Sequence, residues 1–228
     1  MKTTSRENKN SVELQDHLTI WQDHMDIRDF FRYCKVHQDD FKCQTVKHIK
    51  EKKYKSILDA AAGVCSMYYL FHKEKYKINY TATEITPKYV ELCQEQGIDI
   101  IHANIEHMPF EDNNFECTVA FDVINHQVDY RDSIKELLRV TQYELFISFF
   151  KKFEEEVTLG VEYSGNYKTH KTELGLIEDR IVHDGHVVCI YNFINREKFI
   201  NFLDSLNVKY VFYHDPCGRE MLRITKSQ

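Results

Sequence analysis

The residues of this sequence with chemical potential fall at the ends of short apolar runs. Ile57-Leu58-Asp59-Ala60-Ala61-Ala62-Gly63-Val64-Cys65 passes from aliphatic residues through an acid into small residues and a glycine. Ala61 and Gly63 let backbone pass close to a nucleoside-sized ligand, and Asp59 can accept hydrogen bonds from backbone and, directly or through water, from an ammonium group. An acid in that place argues against a bound pyrophosphate. A second acid, Glu84, follows 25 positions later. Farther on, Phe121-Asp122-Val123-Ile124-Asn125-His126 ends in an imidazole, whose unperturbed pKa near 6.5 suits a proton acceptor. Twelve histidines raise the question of a metal, above all His183 and His186 around Asp184-Gly185. A hairpin tip exposes such residues and offers no third ligand, so no metal site is expected. The seven cysteines are odd in number and scattered, and they read as reduced thiols of a cytosolic protein.

Chemistry at run ends needs elements that bring those ends together. Lys55 to Ala62 reads as a buried strand entering a tight turn, with a helix from Ser66 to Glu74. The order repeats with a strand at Ile78 to Glu84. Thr86 and Pro87 then suit the cap and first turn of a helix that Gly97 ends. Ile98 to Ile105 is strand-like, Met108 to Asn114 supplies turn residues, and Phe115 to Ile124 is a further strand. Asp129 to Thr141 carries Ile134, Leu137 and Leu138 on one helical face, before a strand at Tyr143 to Phe150. Strands alternating with helices imply an α/β fold with a parallel sheet covered on both faces and ligands at the strands' carboxyl ends. The last third differs. Arg180 to His183 and His186 to Phe193 flank Asp184-Gly185 as an added β-hairpin. Asn195 can cap a helix bearing Phe199, Phe202, Leu203 and Leu206, and Lys209 to His214 pairs with Glu220 to Thr225, so the sheet ends antiparallel. One or two amphipathic helices, with Trp21, Met25, Phe30, Phe31 and Val46, precede the first strand between Ser11 and Lys53.

With these elements in place, the segment from Asp59 to Cys65 resembles the first motif of the class I, Rossmann-like S-adenosyl-L-methionine-dependent methyltransferases: apolar, apolar, acid, then three alternating glycines. Asp59 and the middle glycine, Gly63, are kept, Ala61 stands at the first glycine position and Cys65 at the third. Alanine is a mild change where torsions are ordinary, whereas Cys65 adds a side chain where helix and strand pack closely. The resemblance assigns Glu84, with Ile85 beside it, to both ribose hydroxyls. It assigns Asn104 of Ala103-Asn104-Ile105 to the adenine amine. Glu106-His107-Met108-Pro109-Phe110-Glu111-Asp112-Asn113-Asn114-Phe115-Glu116 resembles the family's Leu-Pro-Phe loop and is the most specific match. Asp122 and His126 correspond to the end of the fourth strand, beside the transferable methyl group. The matches span about Ile57 to Phe150.

What the resemblance implies is a doubly wound, mostly parallel seven-stranded sheet with an antiparallel C-terminal strand pair. It also implies one domain over 1–228, comprising a helical lid (11–53), a cofactor-binding core (54–150), an insertion and hairpin near the acceptor (151–193) and a terminal helix and strand pair (194–228). S-adenosyl-L-methionine is the cofactor, and Asp59, Ala61, Gly63, Glu84, Ile85, Asn104, Ile105 and Asp122 hold it. An acceptor lone pair attacks the methyl carbon in line, and His126 is the leading base, with Asp129 and His170 behind it. Tyr163, Tyr167, Lys168, His170 and Lys171, after the fifth strand, are placed to cover the acceptor. A formal charge of −6 without a basic run disfavours long nucleic acid, and no stretch approaches the apolar length of a membrane span. The expected acceptor is an oxygen or nitrogen atom of a small molecule, in a cytoplasmic enzyme. Two other readings stay open: a non-catalytic binding module on this fold, and a protein or RNA methyltransferase working in a complex.

Overall fold

Short strands of three to nine residues alternate through the first two thirds of the described residues with helices that each bury one face. The computed structural model describes residues 40–149, 167–181, 187–215 and 218–226. Helix α1 (Asp40–Lys52) leads into β1 (Ser56–Ala60), α2 (Ser66–Lys73), β2 (Asn79–Glu84), α3 (Pro87–Glu95), β3 (Ile100–His102), β4 (Phe115–Phe121), α4 (Arg131–Val140) and β5 (Thr141–Phe149). Then come β6 (Tyr167–Lys171), β7 (Gly175–Ile181), β8 (Val187–Ile194), α5 (Arg196–Ser205), β9 (Lys209–His214) and β10 (Glu220–Thr225). The main sheet has seven strands in the order β3-β2-β1-β4-β5-β10-β9. Strands β1 to β5 run parallel, and β10 is antiparallel to both of its neighbours.

Both faces of the sheet are buried, and alternation along β1 shows it: Ile57 packs with Val46 and Ile49 of α1 and Met67, Leu70 and Phe71 of α2, while Leu58 packs with α4 and α5. Ile134, Leu137 and Leu138 form the buried stripe of α4, each worth about 1.5–3 kcal/mol of transfer free energy. Helix α1 is further tied to β5, where buried Glu144 accepts hydrogen bonds from His48 Nε2 at 2.7 Å and Tyr54 Oη at 3.0 Å. The order reverses at β1 and β4, with β2 leading one way and β5 the other, so the crevice for a ligand lies beyond the carboxyl ends of β1, β2 and β4.

The expected terminal hairpin and the Asn195 cap stand as read; the Asn195 side chain accepts from Lys198 N–H at 3.0 Å. Several boundaries move for local reasons. Strand β3 is three residues long because the Asn104 side chain accepts from Glu106 N–H and turns the chain back. Strand β4 stops at Phe121 because Asp122 adopts a left-handed φ of 57°. Thr86 precedes α3 but its side chain makes no cap; its N–H is held by Glu84 instead. The added hairpin is β7–β8, and β6 joins it as a third strand on β7. Asp184-Gly185, His183 and His186 lie outside the described residues, as do Trp21, Met25, Phe30, Phe31, Tyr33 and Tyr163.

Candidate functional site

The turn after β1 carries an unusual backbone. Ala61, Gly63 and Cys65 all take left-handed torsions, with φ of 53°, 55° and 56°. A non-glycine residue there costs about 1–2 kcal/mol, so Ala61 is not the mild replacement expected of ordinary torsions. The chain keeps a conformation suited to three glycines while carrying only one. A Cβ on Gly63 would meet no atom within 4 Å, so there is open space against this backbone. Cys65 is fully buried with Cys93 in the cluster under α3, and Cys93 Sγ lies 3.8 Å from Gly63 O.

Two buried carboxylates flank the turn. Glu84 Oε2 accepts from Gly63 N–H at 2.8 Å, and Oε1 accepts from Ile85 and Thr86 N–H at 2.9 Å each. A carboxylate has about four acceptor positions; three are filled, so Glu84 can take one further donor through Oε2. One acceptor position rather than two is then left for ribose hydroxyls, because most of this carboxylate's capacity fixes the loop. Asp59, 4% exposed, accepts the Tyr80 hydroxyl at 2.5 Å. Burial pushes the Asp59 carboxyl up to about 6 against the pull of Tyr80 and Lys42, and the Tyr80 hydroxyl is raised by burial and by Asp59. An ammonium group brought to Asp59 would return it to the ionised form.

Asn104 is half-buried, with Oδ1 engaged by Glu106 N–H, while Ile105 packs in the core and Ile85 is half-buried. The loop from Glu106 to Asn114 is pinned by α4: Arg139 donates to the carbonyls of Phe110 and Met108 and to Asp112, and Glu136 accepts from Met108 N–H at 2.7 Å. The most specific sequence match therefore acts as a brace between β3 and β4.

At the end of β4, Asp122 accepts from Ser148 Oγ at 2.7 Å and from Arg219 Nη1 at 2.6 and 2.5 Å. The Arg219 guanidinium lies 4.6 Å from the Phe41 ring centroid, and Phe41 meets Phe121 edge-on at 5.1 Å. This strap links α1, β4, β5 and the terminal hairpin. Arg219 was not singled out from sequence, since nothing local distinguishes an arginine after Gly218. His126 stands in a 3₁₀ turn at Ile124–His126, half-buried. Its Nδ1–H donates to Ile190 O at 3.0 Å and its ring lies 5.3 Å from Tyr191. That bond places a hydrogen on Nδ1, so the neutral imidazole carries its lone pair on Nε2. Asn125 Nδ2 donates to Asn192 O, and Asn192 Nδ2 to Gln127 O, each at 2.9 Å, so β8 clamps the turn. Asp129 is a poor base: Arg131 grips both of its oxygens and holds its carboxyl below the usual range. The His170 side chain lies outside the described residues. Among the described residues, Cys65, Cys93 and Cys117 are free thiols, no group of three His, Cys, Asp or Glu side chains is placed to hold a metal, and no helix is long and apolar enough to cross a membrane.

Residues 58–144 match the family described as methyltransferase domain. Among solved structures, S-adenosylmethionine-bound CalS10, an amino pentose methyltransferase from Micromonospora echinaspora, superposes with a TM-score of 0.64 at 12% identity, covering 90% of this chain and 98% of that one. A Burkholderia thailandensis 1,6-didemethyltoxoflavin-N1-methyltransferase, bound to 1,6-didemethyltoxoflavin and S-adenosylhomocysteine, gives 0.61 at 13% identity, covering 100% and 93%. An S-adenosylmethionine-dependent methyltransferase from Clostridium acetobutylicum gives 0.60 at 13%, covering 88% and 98%. At such identities the likeness is one of fold. No curated protein matches this sequence.

Proposed function

We propose, from the match of residues 58–144 to the methyltransferase domain family, that the protein is a class I, Rossmann-like, S-adenosylmethionine-dependent methyltransferase that transfers the cofactor's methyl group to an oxygen or nitrogen atom of a small molecule. The observation that carries this reading is the left-handed backbone kept at Ala61 and Cys65 as well as at Gly63. Strain held at a ligand-approach turn is maintained against the chain's own preference, which is more in keeping with a working cofactor loop than with a fold retained as a scaffold. Buried Asp59 and Glu84 on either side suit a cationic nucleoside. The Burkholderia neighbour is an N1-methyltransferase and the Micromonospora neighbour acts on an amino pentose, both small acceptors, which supports the acceptor class.

When bound, the cofactor supplies a methyl group on a sulfonium, an electrophile that needs positioning more than activation. Asp59 would meet the ammonium, the remaining acceptor position of Glu84 would take one ribose hydroxyl, and Asn104 would accept from the adenine amine, with Ile85 and Ile105 beside the nucleoside. Asp122, held by Arg219 and Ser148 at the end of β4, would stand toward the transferable methyl group. His126 takes the acceptor's proton on Nε2, its ring held by Ile190 O. Titration calorimetry of the cofactor-stripped protein with S-adenosylmethionine and S-adenosylhomocysteine tests this: micromolar binding is expected, and an absence of binding at millimolar ligand would remove the reading.

A further inference from the structure

At the opposite end of the sheet from the Gly63 turn, beside the amino ends of β1 and β2, a groove of about 590 Å³ opens between α2 and the strands. Its lining divides into two chemistries. Tyr68, Tyr76 and Tyr80 form a run of partly exposed rings over buried Phe71: Tyr68 lies 5.5 Å from Tyr80, and Phe71 lies 6.4 Å from Tyr80 and 6.3 Å from Tyr76. The hydroxyls of Tyr76 and Tyr80 turn inward, donating to Tyr54 O at 2.7 Å and to Asp59 at 2.5 Å, so both tyrosines spend their polar atoms inside the protein. Around the rings stand Lys55, Lys75, Lys77 and His72, all exposed.

The neighbouring acids are already engaged. Glu74 is paired with Lys50 at 2.8 Å, and Glu116 accepts the backbone N–H groups of Lys55 and Ser56. Three ammonium groups beside an aromatic wall stand out on a chain whose formal charge is −6. The volume lies within the range of small-molecule sites, about 300–1,000 Å³. Rings favour a planar apolar body, and the lysines favour an anionic group at its edge.

We propose that this groove is a second ligand site, taking a small planar aromatic anion, with an aromatic phosphate as the best fit. The groove touches the proposed cofactor site only through Tyr80, whose hydroxyl reaches Asp59, while its lysines and the Tyr68 and Tyr76 rings serve this groove alone.

The test is titration of the full-length protein with phenyl phosphate, benzoate, inorganic phosphate and benzyl alcohol, followed by calorimetry or ligand-observed NMR, with and without saturating S-adenosylhomocysteine. Phenyl phosphate is expected to bind in the submillimolar range, and inorganic phosphate about tenfold more weakly for lack of a ring to stack. Benzoate tighter than phenyl phosphate would keep the site and change the anion to a carboxylate. The exposed double variant Lys75→Gln/Lys77→Gln should lose about tenfold in phenyl phosphate affinity, with melting temperature and S-adenosylhomocysteine affinity unchanged. Equal affinity for inorganic and phenyl phosphate would mean surface lysines attracting counterions and would overturn the proposal. So would an unchanged affinity in the double variant, displacement of phenyl phosphate by S-adenosylhomocysteine, or no binding at millimolar ligand.

Discussion

Asp59→Asn separates the stability of this fold from its proposed function, because one carboxylate is asked to do conflicting things. In the folded protein its pKa rises from 3.8 to about 6, chiefly through burial. At about 1.4 kcal/mol for each pH unit, the ionised carboxylate destabilises the native state by about 3 kcal/mol relative to a neutral side chain. Between pH 3.8 and 6 the native state binds more protons at Asp59 than the unfolded chain does, so this contribution to stability falls as pH rises through that window and is constant above it. Asparagine is nearly isosteric and its carbonyl can still accept the Tyr80 hydroxyl, so the substitution removes the charge with little loss of packing. Urea unfolding at pH 8 is expected to show Asp59→Asn about 3 kcal/mol more stable than wild type without cofactor, with the difference shrinking toward zero near pH 4. Cofactor affinity should move the other way. Wild type should bind S-adenosylmethionine more weakly below pH 6 and release about half a proton on binding at pH 6, measured by calorimetry in buffers of different ionisation enthalpy, as the ammonium drives Asp59 to ionise. The variant should bind weakly at every pH. A stability difference independent of pH, or a wild type more stable than the variant at pH 8, would refute the reasoning.

Gly63→Ala has no steric clash in the free protein, so unfolding should show a loss of only about 1–2 kcal/mol from the left-handed torsion. S-adenosylhomocysteine affinity should fall further, because the methyl enters the open space; unchanged affinity would place the ligand elsewhere. Glu84→Gln turns an amide NH₂ toward backbone donors and should cost about 1.5–3 kcal/mol of stability together with cofactor affinity, measured by denaturant unfolding and calorimetry on the same preparation. His126→Ala should lower kcat on the order of a hundredfold while leaving S-adenosylhomocysteine affinity unchanged if Nε2 takes the proton. An equal loss in binding and turnover would make the imidazole a cofactor contact.

Much of the architecture was legible because secondary structure answers to local periodicity and punctuation. The pair β9 and β10 fell at the residues read from the sequence, since alternation and turn residues set a hairpin within one short stretch. The Asn195 cap was equally local, one side chain reaching an N–H three residues on. Less legible were strand ends that depend on a single torsion or side chain, as at Asp122 and Asn104. Strand β6 was missed because Tyr167–Lys171 carries no apolar alternation of its own and is a strand by virtue of pairing with β7. In the candidate site, the sequence pointed to Asp59, Glu84 and His126 by their places at run ends, but not to what they hold.

The order and spacing of apolar runs, the acids at their ends and the small-residue turn after β1 were enough to determine an α/β sheet with a ligand crevice at its carboxyl edge, because each rests on interactions between residues close in sequence. Tertiary structure alone decided the left-handed torsions of Ala61 and Cys65, the three backbone donors on Glu84 and the burial that raises Asp59. It likewise decided that Arg219 closes on Asp122 across 97 residues and that Ile190 sets the His126 tautomer from 64 residues away. Such bonds depend on which strands become neighbours, and strand adjacency is fixed by the packing of the whole sheet rather than by any window of the chain.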